Sequence, residues 1–329
     1  MEPDRTRNRR LPKKEESGMT VDEAIREACS TVGIEPPKSS IRYGRWMQTN
    51  TLAGKNGKGD GRVIVNDANV TAFNWQSGQN ATVFLNGEVS HKERRDIAEQ
   101  VEWEKRRQRE RAVAASALAS RLVEAATPAT HAYLARKGFP EEKALVLGAA
   151  DILRLAADPE RRSTGEYLVP AGGERAIVMP ARIGMKVTSV QLVWEDGTKK
   201  FLFGGEISGA SYRISKGPEF WLCEGFATGL SLRAGLQGLR HPATILCCFS
   251  AGNVLAVSRS LTGRKFIVAD NDKPLPQYGG LGAGEYFARQ ADCPYLMPPK
   301  IGDDINDAHM GSSIFAVQRL LADTLRSAH

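Results

Sequence analysis

The chain has 329 residues, 41% hydrophobic and 25% charged, the make-up of a globular protein that can bury a sizeable core. No apolar run approaches the ~18 residues of a membrane span, and no apolar stretch follows the basic N-terminus, so no membrane partner and no secretory signal are expected and the location is read as cytoplasmic. The net charge of +7 admits a polyanionic partner, and the five cysteines (Cys29, Cys223, Cys247, Cys248, Cys293) contain no C-x-x-C pair, so no zinc is predicted and no disulfide framework.

Residues 1–18 carry Arg5, Arg7, Arg9, Arg10, Lys13 and Lys14 with almost nothing to bury, and are read as a disordered basic arm. Residues 19–90 read as a small α+β domain. Thr20 and Glu23 have capping-box spacing, so a helix should start at Val21. Short strands follow around 45–48, 61–65, 72–75 and 82–85. Between the first two lies a Gly/Lys loop with Lys55 and Lys58, which lacks the order of a nucleotide P-loop. Beside Trp46 and Trp75 this loop offers charge and stacking to single-stranded nucleic acid; the alternative is a pair of core tryptophans under a loop.

Residues 91–140 read as a helical linker, first a long run of interleaved acids and bases, then a short helix with His131, Tyr133 and Leu134 that stops at Gly138. From 141 to 217 the pattern is strands and tight turns, with basic residues on one face of a hairpin-rich unit. From 218 to 312 short apolar strands (220–223, 244–249, 265–269, 294–297) alternate with helices, which means a parallel sheet. A last helix takes up 313–329.

The chemistry lies at the strand ends. Glu224 follows the first strand of the alternating region, and Asp270 and Asp272 follow the third. In a parallel sheet these positions form the ligand crevice. Carboxylates converging there repel one another unless a cation sits between them, and Mg2+ suits oxygen ligands and phosphate. A further acidic group, Asp303-Asp304-Ile305-Asn306-Asp307, is read as a loop after the last strand.

Glu224-Gly225 followed by the Asp270/Asp272 pair resembles the Toprim fold of bacterial primases, topoisomerases and some nucleases. The string Glu224–Ser231 resembles the E-G-Y-A-T signature of primases from conjugative plasmids and satellite phages, with Phe226 in place of the usual tyrosine. Pro180-Ala181-Arg182, Ser189-Val190-Gln191, Asp196–Phe201, Gly204-Gly205, His131–Gly138 and Asp304–Asp307 are similar to that family's other motifs. The resemblance implies an α/β protein with a C-terminal Toprim domain (a parallel sheet flanked by helices), preceded by a strand-rich subdomain, a helical linker and the small N-terminal domain. It implies Glu224, Asp270 and Asp272 as metal-binding acids, with Asp304 and Asp307 at the mouth of the site. Lys199 or Lys200 would stand near the incoming triphosphate, and Arg182 and Gln191 on the template–primer path. The implied activity is that of a DNA primase, a nucleotidyltransferase using Mg2+ (or Mn2+), a single-stranded DNA template and ribonucleoside triphosphates in plasmid or phage replication or transfer. A Toprim nuclease and a non-catalytic single-stranded-DNA-binding protein are the alternatives. Neither the zinc module nor the helicase often joined to such primases has a counterpart in this sequence, which leaves a separate replicative helicase as a partner.

Overall fold

Thr20 starts the first helix as its spacing predicts. Its hydroxyl accepts from the Glu23 N–H at 3.2 Å, and the Glu23 carboxylate accepts from the Thr20 N–H at 2.8 Å, so α1 (Val21–Thr31) opens on a reciprocal cap. The computed structural model describes residues 19–52, 58–75, 79–85, 91–157, 165–275 and 278–327, with the side chains of 91–94 excepted. The predicted basic arm and Lys55 lie outside the described residues. The chain divides into two compact units, residues 1–106 and 107–329.

In the first unit an antiparallel sheet runs in the order β1 (Met47–Thr49), β2 (Gly61–Val65), β3 (Asn69–Asn74), β4 (Asn80–Phe84). Alternation along β2 and β3 sends Val63, Val65, Val70 and Ala72 inward, against Ala24, Ile25 and Ala28 of α1. Helix α2 (His91–Ala125) adds Ile97 to this core. Its later turns carry Ala115, Ala119 and Leu122, which pack into a core of the second unit.

The second unit holds two sheets. One is antiparallel, in the order β5 (Thr127–Ala129), β6 (Ala144–Gly148), β7 (Arg175–Ile183), β8 (Lys186–Trp194), β9 (Lys199–Phe201). A short helix, α3 (Ala132–Arg136), follows β5 and is capped by His131. The strand-and-turn reading of 141–217 needs one correction, because α4 (Ala149–Ala156) and a 3-10 turn at Glu166–Leu168 lie within it. Ile152 and Ala156 stand one helical turn apart and both face the core, a spacing that suits a helix and not a strand.

The other sheet has the order β10 (Tyr212–Ser215), β12 (Thr244–Cys247), β11 (Phe220–Cys223), β13 (Lys265–Val268), β14 (Tyr295–Leu296). Its last four strands pair in parallel, and β10 forms an antiparallel edge. The connecting helices are α5 (Phe226–Gly238), α6 (Ala251–Ser260) and α7 (Ala283–Arg289), with α8 (Ile305–Gly311) and α9 (Ile314–Ser327) closing the chain. The central strands are apolar along their length because both faces are covered: Trp221 and Phe266 pack with Leu232, Leu236 and Leu321 on one side, Leu222 and Ile267 with Val254 and Leu255 on the other. Successive strands leave β11 in opposite directions, so the crevice opens at the carboxyl ends of β11 and β13. A further cluster joins Ile177, Met179 and Val193 of the antiparallel sheet to Phe226, Ala227, Leu230 and Cys247, which seats β7 and β8 against α5 and β12.

Candidate active site

Register builds the site. Cys223 pairs with Val268, so Glu224 emerges one residue beyond β11 and Asp270 two residues beyond β13, on adjacent strands. Glu224 is held from behind by its own backbone: its carbonyl accepts from the Phe249 N–H at 2.9 Å. Phe249 has a left-handed φ of 72°, costly for an aromatic residue, and its ring meets Phe201 edge-on at 5.6 Å. Gly284 lets the start of α7 press against the Asp270 backbone, where a Cβ would run into the Asp270 carbonyl and amide.

Glu224 Oε1 and Asp270 Oδ1 are sealed from solvent with no hydrogen-bond partner among the described residues. Glu224 rises from an ordinary 4.5 to about 7, through burial first and then the Asp272 charge, with the Ala251 N–H and Lys199 pulling the other way. Asp270 rises from 3.8 to about 8, again through burial first, then through the charges of Glu224, Asp304 and Asp272. Two buried carboxyls thus share a crevice in which neither ionises easily.

The other three acids are tied to helix starts. Asp272 Oδ2 accepts from the Gly284 N–H at 2.9 Å. Asp304 caps α8, accepting from the Asp307 N–H at 2.8 Å, and Asp307 returns the bond to the Asp304 N–H at 3.1 Å. Asp304–Asp307 is therefore a helix start and not the loop read from sequence, because an acid at each end of a four-residue span satisfies the first free amides. Asp307 also lies 3.7 Å from Lys137 Nζ. As they stand, no three His, Cys, Asp or Glu among the described residues form a group able to hold a metal ion. What fits a hard cation is narrower: two partnerless buried carboxylate oxygens at the ends of adjacent strands.

A pocket of about 240 Å3 opens beside them, lined in part by Arg136, Lys137, Lys199, Thr228 and Asp304. Lys199 is the lysine that counts here. It lines the pocket and acts on both raised carboxyls, whereas Lys200, next along an extended strand, points to the opposite face. Arg136 and Lys137 belong to the His131–Gly138 string, but the sequence gives neither a role. Their place at the end of a five-residue helix, anchored where Asn306 donates to the Lys137 carbonyl at 2.9 Å, brings them to the pocket. Gln191 is 4% exposed on β8, level with Met179 and Phe201. Arg182 is exposed, donates to the Met185 carbonyl at 3.0 Å, and does not line the pocket. Phe226 is buried edge-on against Tyr212 at 5.6 Å, in the core. Trp46 and Trp75 are 49% and 46% exposed, which rules out the core pair, and Lys58 is exposed on the turn into β2.

No family model matches the chain. Among solved structures it is similar to a chain of the bacteriophage T7 lagging-strand DNA polymerase interacting with primase domains bound to an RNA/DNA hybrid and dTTP, at 16% identity and TM-score 0.34, covering 47% of this chain and 78% of that one. The primase fragment of the bacteriophage T7 primase-helicase protein gives 16% identity and TM-score 0.34 over 50% of this chain and 74% of that one. A split gene transketolase gives 11% and 0.26 over 37% and 43%. Likenesses this distant leave the site's own geometry as the ground for a function. No helix among the described residues is long and apolar enough to cross a membrane.

Proposed function

We propose that the chain is a DNA primase with a Toprim-type centre, joining ribonucleotides into short primers on single-stranded DNA by Mg2+-dependent nucleotidyl transfer. The observation that carries this reading is the pair Glu224 and Asp270 at adjacent strand ends, each with one buried oxygen that has no hydrogen-bond partner among the described residues and each raised by burial and nearby acids, with Lys199 acting on both. Such an arrangement is unfavourable without a cation and suits one with phosphate nearby.

Glu224 and Asp270 would hold the ion. When bound, Mg2+, or Mn2+ in its place, supplies positive charge for a triphosphate and lowers the pKa of an attacking 3′-hydroxyl. Lys199, Arg136 and Lys137 place three cationic side chains around the adjoining pocket, where triphosphate oxygens would be bound and oriented. The partnerless Thr228 hydroxyl lines the same pocket and offers a further donor. The backbone bonds of Glu224 and the close fit of Gly284 on Asp270 keep both acids from relaxing apart. A plasmid or phage replication role, with a separate helicase, accords with this chemistry.

The test is incubation with single-stranded DNA, ribonucleotides and Mg2+. Short labelled RNA that disappears with EDTA and in Asp270→Ala is the expected result. Shortened DNA would instead mean a nuclease, and a gel shift without chemistry a binding protein; either outcome overturns the proposal.

A further inference from the structure

The outer face of the first unit's sheet has a make-up that a solvated surface does not need. Helix α1 and Ile97 cover one side of β1–β4. The two-residue alternation turns Gln48, Arg62, Ile64, Phe73, Thr82 and Phe84 to the other. No outward position on these four strands is an acid, and Arg62 is the one charged residue among them. Phe73 stands opposite Arg62 on β2 and Asn80 on β4, with Gln48 beyond Arg62, so one row across the sheet sets an aromatic ring between hydrogen-bonding groups.

Trp75 follows β3 on the same side and meets Phe73 edge-on, with ring centroids 4.9 Å apart. Phe84 is 57% exposed on the edge strand, and Trp46, immediately before β1, is 49% exposed. Exposed aromatics gathered on one sheet face mark a surface that meets a partner. The chemistry chooses among partners. Aromatic rings serve protein interfaces as well, so the choice rests on what lies between them: amides, hydroxyls, one arginine and no acid, with Ile64 the single aliphatic residue. Rings interspersed with Gln, Asn and Thr, a positive charge and no acid suit bases that stack and pair at their edges on a chain of phosphates.

We infer that this face binds single-stranded DNA, with Phe73, Trp75 and Phe84 as stacking surfaces and Arg62 and Lys58 against phosphates. Arg62 donates through Nη1 to the carbonyls of Gly59 (2.6 Å) and Gly61 (2.8 Å), which holds its guanidinium beside the turn that carries Lys58. The inference is independent of the reaction at Glu224 and Asp270.

The experiment is fluorescence anisotropy of a labelled oligo-dT with the full chain in EDTA. Removing a stacked ring is worth ~1–3 kcal/mol per base, so Phe84→Ala and Trp75→Ala should each weaken binding about fivefold or more, and Thr82→Glu, which sets a negative charge on the face, should also weaken it. These positions are exposed, and an unchanged melting temperature will show that each variant folds. Affinity unchanged in all three face variants, or lost in Lys199→Ala and not in them, would overturn the inference by placing the strand elsewhere.

Discussion

Asp270→Asn should stabilise the cation-free protein while removing its activity. Asparagine has the same shape, but it removes the charge that burial and three neighbouring acids hold at a pKa of about 8 instead of 3.8. Because the folded pKa is raised, the folded chain keeps a proton that the unfolded chain releases, so stability falls as pH climbs from about 4 toward 8. Each tenfold change in proton affinity is worth ~1.36 kcal/mol, so the rise sets a ceiling of about 5 kcal/mol at pH 8. Relaxation of the crevice and the asparagine's own unmet hydrogen bonds bring the expected gain to about 2–3 kcal/mol. For a unit of this size that is a rise in melting temperature of roughly 4–10 °C. The assay is thermal unfolding in EDTA at a series of pH values, followed by Mg2+ titration. The gap between variant and unaltered chain should close toward pH 4, and Mg2+ should narrow it at pH 8 by stabilising the unaltered chain alone. A variant less stable at pH 8, or a gap that does not change with pH, would refute the reasoning.

Three further outcomes follow from named contacts. Lys199→Ala should lower primer synthesis by about 10²–10³-fold, with Lys200→Ala within a few-fold of the unaltered chain, measured as kcat on one template. Gly284→Ala should displace the Asp270 backbone and cut Mg2+-dependent activity at least about tenfold, a loss read in the same assay, while Gly279→Ala, which meets no neighbour among the described residues, should leave activity within a few-fold despite its positive φ. Glu219→Ala should cost about 2–3 kcal/mol in urea unfolding, because it leaves the buried Trp221 Nε1 donor (2.8 Å to Glu219) and the His241 ring without their shared acceptor.

The alternating half of the chain is legible because each central strand is an unbroken apolar run and each acid sits where the run stops. That pattern alone places Glu224 and Asp270 at one sheet edge. What it omits is how the other acids are used. Asp304-Ile305-Asn306-Asp307 has the spacing of a helix cap, and that local signal decides the geometry of both carboxylates. The choice between Lys199 and Lys200 depends on strand parity, which two adjacent lysines cannot reveal. Helix α4 is hidden because eight residues of mixed apolar and polar character between strands suit either state until the core fixes one face. Trp46 and Trp75 are ambiguous for a related reason: which side of a sheet is covered depends on where α1 lands.

The most direct measurement is incorporation of labelled ribonucleotide into short RNA on single-stranded DNA, with Glu224→Gln run beside the unaltered chain over a Mg2+ titration. Template-dependent RNA from the unaltered chain, absent without Mg2+ and reduced at least about a thousandfold in Glu224→Gln at every Mg2+ concentration, is the expected result. Equal RNA yield from Glu224→Gln would contradict the account, as would the absence of RNA from a folded, DNA-binding unaltered chain.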